Sequence, residues 1–246
     1  MVAMTFSMQR FMLWLTFLLL TLVVALSLSW LVLAKVDFAY PLLHDHAGLG
    51  KNIEQYAPRN LTRPYFDLTT PAERARLFHE IVTAIHHQGH GLSELRYHDD
   101  QGRLIATLLT PAEVAHLQDV AHLLDKLKIM ALLALPLWAG MFMTLVWLRQ
   151  PLPSTRHLLL GLAGVGAVTA VILALGAERV FYQLHVWVFP AGHQWFFFYE
   201  ESLMSTMMKA PDLFGYIAVM LAVLALGISL GLLWLYQRVV RNRLSG

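Results

Sequence analysis

Four long apolar runs constrain this chain before any motif does: residues 11–34, 129–148, 158–177 and 213–236. Each is close to the ~20 residues that carry a helix across a ~30 Å hydrocarbon core. Only 14% of the residues are charged, against about 25% in an ordinary soluble domain. The runs therefore predict a membrane α-helical fold with four transmembrane helices. The first run exceeds the ~7–15 apolar residues of a secretion-signal core and reads as a retained anchor.

Charge orients the spans. Arg10, Arg149, Arg156, Arg238, Arg241 and Arg243 flank one end of them with no acidic residue nearby, the positive-inside pattern. This predicts cytoplasmic segments at 1–10, 149–157 and 237–246. All 16 acidic residues and eleven of the 12 histidines fall on the opposite side, in 35–128 and 178–212. Any chemistry is expected there, on the outer face of the membrane. The absence of cysteine suits an oxidising compartment and removes a thiol nucleophile. A net charge of +2 carries no nucleic-acid footprint.

The segment 35–128 reads as a small α/β extracytoplasmic domain between the first and second spans. The tetrapeptide TPAE occurs at Thr70–Glu73 and again at Thr110–Glu113. In each, Thr can cap, Pro can take the first helical position and Glu can reach back to complete a capping box. The first helix carries an apolar stripe of Leu77, Ile81 and Ile85 and is expected to end at Gly89. Leu95 and Tyr97, a DDQG turn, then Leu104, Ala106 and Leu108 predict one β-hairpin. The second helix meets no Gly or Pro after Pro111 until Pro136, so it is expected to run unbroken into the second span. Lys126 and Lys128 would mark the membrane surface.

His116 and Asp119 lie three apart on that second helix and share a face. A carboxylate beside an imidazole fixes its tautomer and raises its basicity; the ordinary reading is a solvated polar pair. The 178–212 segment carries LHVWVFPAGHQWFFFY from Leu184 to Tyr199. His185 sits there among Trp187, Trp195 and Tyr199, where an interfacial filler is the ordinary reading. Pro190 and Gly192 predict an interfacial loop rather than a regular helix, and such backbone at membrane depth must line a wet cavity or be buried in protein. The tracts HDH (His44–His46) and HHQGH (His86–His90) are possible zinc ligands with no standard spacing.

In order along the chain, two blocks resemble the lipoprotein intramolecular transacylase (Lit) family. Its pattern E-x-x-H-M-x-D-V is matched by Glu113, His116, Asp119 and Val120, with Leu117 for the Met. Its pattern F-H-x-x-F-F-P-x-G-x-x-W-x-F is matched by His185, Phe189, Pro190, Gly192, Trp195 and Phe197, with Leu184 and Val188 replacing two phenylalanines. The resemblance covers the chain from Glu113 onward and the four-span layout. It implies a diacylated bacterial lipoprotein as substrate, within membrane lipid. An acyl chain would pass from the middle carbon of the diacylglyceryl group to the α-amine of the N-terminal cysteine, giving the lyso form. It also implies that His116 and His185 carry the catalysis.

Such a reaction needs no cofactor and no acyl-enzyme. Ester and amine belong to one molecule, so the protein has only to bend the substrate and move protons. One assignment makes His116, oriented by Asp119, the base, with His185 on the departing oxygen; the reverse is equally open. Oxyanion help is expected from a backbone N–H near Gly192 or from Arg179, and Glu113 and Trp195 complete the supporting set. The alternative is a non-enzymatic membrane protein whose histidine-rich outer domain binds metal or a partner.

Overall fold

The computed structural model of the chain describes residues 2–154, 156, 163, 164, 166, 167, 170, 171, 174 and 176–244. In chain order its main elements are α1 (Val2–Lys35), α2 (Tyr40–His46), α3 (Leu49–Tyr56), α4 (Pro71–His86), β1 (Arg96–His98), β2 (Leu104–Thr107), α5 (Pro111–Trp147), α6 (Ala177–Val188), α7 (Leu203–Met208) and α8 (Asp212–Leu244). They form two compact units.

The first unit comprises Met1–Leu31, Lys128–Ala177 and Met220–Gly246. Its core gathers Trp14 and Phe17 from α1, Leu145 and Val146 from α5, and Tyr236 and Val240 from α8. The ring of Trp14 meets those of Phe17 and Tyr236 edge-on at 5.6 and 5.4 Å, the geometry the aromatic quadrupole favours. The polar tips that these large side chains bring inside are mostly matched. Trp138 Nε1 donates to Thr21 Oγ1 at 3.0 Å, and the Tyr236 hydroxyl donates to the Gln150 carbonyl at 2.6 Å. Outside this core the same helices expose Leu19, Leu132, Leu133, Val223 and Leu226, a surface suited to lipid.

Met8–Lys35, Pro111–Trp147 and Asp212–Arg243 are each long and apolar enough to cross a membrane. The protein is a multi-pass α-helical membrane protein with a small β-hairpin domain between spans. The predicted third span, 158–177, lies largely outside the described residues. As its composition predicts, α5 runs unbroken through Pro136. At 1.5 Å per residue its 37 residues extend ~55 Å, well beyond a ~30 Å hydrocarbon core. Glu113, Asp119, Asp125, Lys126 and Lys128 all precede Ile129, so the stretch fit for lipid is the second half, and the first half belongs to the second unit.

That second unit comprises Val32–Leu127 and Glu178–Val219. The predicted stripe of α4 is its core: Leu77, Ile81 and Ile85 are buried, as is Phe78, which stacks on Tyr40 at 4.2 Å. The hairpin forms with Arg96 opposite Thr107, Tyr97 opposite Ala106 and His98 opposite Leu104. That register leaves Ile105 as an extra residue, a bulge that shifts the alternation, and Leu104, expected on the inward face, is consequently exposed. Asp99 closes the DDQG turn by accepting from the backbone N–H groups of Gln101 and Arg103 at 2.9 and 2.8 Å.

The two TPAE segments begin helices as expected but use their glutamates differently. Thr70 caps α4, accepting from Glu73 N at 3.1 Å. The Glu73 carboxylate turns to Arg76 and to the backbone N–H of His98 (2.9 Å), so no reciprocal box forms. At α5 the box is complete: Thr110 N donates to Glu113 Oε2 at 2.6 Å and Glu113 N to Thr110 Oγ1 at 3.4 Å. The 178–212 segment is also more regular than Pro190 and Gly192 suggest. Helix α6 continues to Val188, α7 occupies Leu203–Met208, and irregular backbone lies between them. Pro190 ends the helix one turn after His185 instead of preventing it.

Candidate active site

His116 is brought in by the first turns of α5. Glu113, one turn earlier on the same face, has no exposed surface. Its Oε1 accepts from the Ser202 hydroxyl at 2.5 Å and from Met204 N at 3.2 Å, while Oε2 holds Thr110 N. One carboxylate therefore starts α5 and ties it to the start of α7. The other side of α7 is held by the Tyr40 hydroxyl donating to the Met207 carbonyl (3.1 Å) and by Asn52 Nδ2 donating to the Thr206 carbonyl (2.8 Å).

His185 stands in the last turn of α6. Its Nδ1 lies 2.9 Å from the Phe181 carbonyl. A carbonyl only accepts, so Nδ1 carries the proton and the neutral ring keeps its lone pair on Nε2. The centroids of His116 and His185 are 6.1 Å apart with ring planes inclined by 30°. Aromatic walls surround them. Phe189 lies 5.1 Å from each ring, Phe197 6.2 Å from His116, and Phe181 and Trp195 4.1 and 4.9 Å from His185.

Burial dominates the electrostatics. It drives the pKa of His116 down to about 4, helped by the neighbouring His185 and partly opposed by the Asp119 charge. Burial also lowers His185, with the Phe181 carbonyl pulling the other way. Both imidazoles are thus neutral near pH 7. A neutral imidazole can accept a proton at one nitrogen and donate a hydrogen bond from the other.

The structure brings His116, His185, Trp195 and Glu113 into one region and rearranges the rest of the expected set. Asp119 does not hydrogen-bond His116; its Oδ2 takes His193 Nδ1 at 2.6 Å. Among the described residues His116 Nδ1 is buried with no hydrogen-bond partner. Gly192 has φ +96, a conformation open to glycine in a turn that returns His193 N toward the Pro190 carbonyl (3.3 Å). Arg179 is exposed and lies six residues before His185 on α6, ~9 Å back along the axis and on another face; it is not brought to the pair.

His193 and Ser202 are the residues that sequence reasoning missed. Ser202 carried no signal beyond its type, whereas His193 sits where a P-x-G turn redirects the chain, a place from which a side chain can reach back. The other histidine tracts are occupied locally. His86 and His87 bond the carbonyls of Val82 and Thr83, and His44 pairs with Asp45. Among the described residues no three His, Cys, Asp or Glu side chains gather as a metal would need, which counts against the metal-binding alternative.

Fold and site together define a class: a multi-pass membrane protein with a pair of neutral imidazoles set among aromatic rings. A family model described as lipoprotein intramolecular transacylase Lit matches residues 73–211, more than half of the chain. The protein belongs to the Lit family and is an acyltransferase of lipoprotein processing in the bacterial membrane.

Three similar solved structures are of the membrane integral lipoprotein intramolecular transacylase Lit from Bacillus cereus. One is 17% identical, covers 98% of this chain and 99% of its own, and superposes with a TM-score of 0.65. A form with one histidine replaced by alanine is 16% identical over 100% of this chain and 99% of its own, at 0.64. A form with a histidine replaced by arginine is 18% identical over 100% of both chains, at 0.60. These likenesses show a shared fold. No curated protein sequence matches the chain.

Proposed function

We propose that His116 and His185 are the catalytic residues of an O-to-N acyl transfer within one diacylated lipoprotein. The observation that carries this reading is the proximity of two neutral imidazoles, 6.1 Å between centroids, one of them with its tautomer set by a backbone carbonyl. His185 is the better base, because the Phe181 carbonyl holds the proton on Nδ1 and leaves Nε2 free to accept. This reverses the first of the two assignments open from sequence. His116, kept neutral by burial, serves as an N–H donor to the developing oxyanion and then to the departing oxygen, since a depressed pKa suits an imidazole to that role.

The atoms balance without a cofactor. The α-amine nitrogen attacks the ester carbonyl on the middle glyceryl carbon, forming the N–C bond and a tetrahedral oxyanion. His185 takes the proton lost by nitrogen. Collapse breaks the C–O bond, and the proton returns through the pair to the departing oxygen as its hydroxyl. The product is the lyso form, isomeric with the substrate. Glu113 and Trp195 support the pair by position and contact, and Gly192 by its turn. Arg179 is better assigned to a headgroup.

We place the four spans at 11–34, 129–148, 158–177 and 213–236, with both termini cytoplasmic. The outer domain is 35–128, the outer interfacial segment 178–212, and the site faces outward. The arginine-only flanks at Arg10, Arg149 and Arg238–Arg243 support that orientation.

The test is mass spectrometry of the N-terminal lipopeptide of a diacyl lipoprotein incubated with purified protein. The expected result is an acyl group moved to the α-amine at unchanged total mass, with His116→Ala and His185→Ala each reducing the rate ~10²-fold or more. Full activity in both variants would overturn the assignment.

A further inference from the structure

The aromatic walls of the pocket come largely from one irregular segment, residues 189–198, which follows α6. It supplies Phe189, Trp195 and Phe197 to the two imidazoles. Its own hydrogen bonds are local: His193 N donates to the Pro190 carbonyl and the Gln194 side-chain Nε2 to the Phe196 carbonyl at 3.1 Å. Among the described residues, the side-chain hydrogen bond that ties this segment to α5 joins His193 Nδ1 to Asp119 Oδ2 at 2.6 Å. Asp119 stands one turn beyond His116 on α5. Its carboxylate is 13% exposed, while His193 is 49% exposed. The carboxylate is therefore largely removed from water, and His193, itself half exposed, is its charge-assisted hydrogen-bond partner.

We propose that His193 is a positioning residue for the acyl transfer: through Asp119 it latches the 189–198 segment against α5 and so holds the aromatic walls around His116 and His185. The turn that makes this possible is the one at Gly192, whose φ of +96 reverses the chain immediately before His193. The proposal replaces the direct orientation of His116 by Asp119 that the i, i+3 spacing suggests. Asp119 acts on the site by pinning its cover. The functional consequence rests on the acyl-transfer reading above; the latch itself does not.

The geometry makes the test specific, because the bond uses Nδ1. The amide of asparagine superposes its N–H on that atom, whereas the amide of glutamine reaches the position of Nε2. The full-length protein is assayed in detergent micelles with a synthetic diacyl lipopeptide bearing a free α-amine. Hydrogen exchange of the 189–198 backbone is followed in parallel. His193→Ala is expected to lower kcat/KM about tenfold, the loss of one charge-assisted hydrogen bond, and to speed exchange in 189–198 while leaving α4 unchanged. His193→Asn restores both; His193→Gln does not.

Asp119→Asn combined with His193→Ala is no worse than the more damaging single change, because the two groups act as one bond. Unchanged exchange in His193→Ala, or equal behaviour of the Asn and Gln variants, overturns the latch. If the wild-type protein moves no acyl group while His193→Ala still loosens 189–198, the latch stands and the acyl-transfer reading falls.

Discussion

Replacing Glu113 by alanine tests the device that joins α5 to the rest of the second unit. The Glu113 carboxylate accepts from Thr110 N at 2.6 Å, the Ser202 hydroxyl at 2.5 Å and Met204 N at 3.2 Å. Thr110 is partly exposed and water can replace the carboxylate there. Ser202 and Met204 are buried at 0% and 6% exposure, so their two donors lose their partner with no water to substitute. At about 1–3 kcal/mol for each stranded buried donor, the change costs ~2–6 kcal/mol. For a chain of this size each kcal/mol lowers Tm by about 2–4 °C, so thermal unfolding followed by tryptophan fluorescence should show a drop of at least ~4 °C. Glu113→Gln is expected to lose half of that or less, because one amide oxygen still serves Ser202 and Met204. A Glu113→Ala protein within ~2 °C of wild type would refute the claim that this carboxylate is a structural tie.

Acid should act on both stability and turnover. His116 titrates near 4 when folded and near ~6.5 when unfolded, so the unfolded chain binds the extra proton across that window. Stability is then full above pH ~6.5 and falls by up to ~3 kcal/mol as pH drops toward 4, which denaturant titrations at several pH values will show. Provided His116 must be neutral, its contribution to the acid limb of kcat/KM lies near pH 4 instead of 6.5; a limb at 6.5 for wild type and for every variant of the pocket would contradict this. Phe197→Ala should admit water beside His116 and raise its pKa toward the ordinary value, read by NMR titration of the imidazole. Gly89→Ala is expected to lower Tm, because φ is +78 there and the added Cβ falls 2.1 Å from Gln118 Oε1; an unchanged Tm would mean that Gln118 moves away freely.

What the chain reveals by inspection is set by how local each signal is. The caps at Thr70 and Thr110, the stripe of α4, the hairpin and the unbroken α5 all rest on residues within a few positions of one another. Each appears in the structure near its predicted limits. The meeting of His116 with His185 spans nearly seventy residues and came from the order of two blocks resembling one family. Spacing alone could not have paired them. Asp119 is the instructive failure. The i, i+3 relation to His116 is real, yet the carboxylate is claimed by His193, seventy-four positions away, since a turn at Gly192 brings His193 Nδ1 within 2.6 Å of it. Helical spacing gives which residues share a face; it does not give which of several partners a carboxylate takes. Glu113 carries the same lesson in reverse, because its capping role was legible and its long-range bonds to Ser202 and Met204 were not.

The neutrality of the pair bears on why a transfer within one molecule needs so little catalytic equipment. In acyl transfer to a second molecule, the enzyme must commonly store the acyl group on a nucleophile while one partner leaves and another enters. Here donor ester and acceptor amine arrive together, so the entropic part of the barrier is largely met by the substrate's own connectivity. What remains is a proton that leaves nitrogen and reappears on oxygen, with no net change in the enzyme. A strongly charged site would favour one end of that transfer and trap the intermediate. On the assignment proposed above, two imidazoles held neutral by burial carry that proton without a fixed charge at either end. Burial is what depresses their pKa, so on the same assignment a substitution that wets their surroundings should slow transfer even where it touches neither histidine.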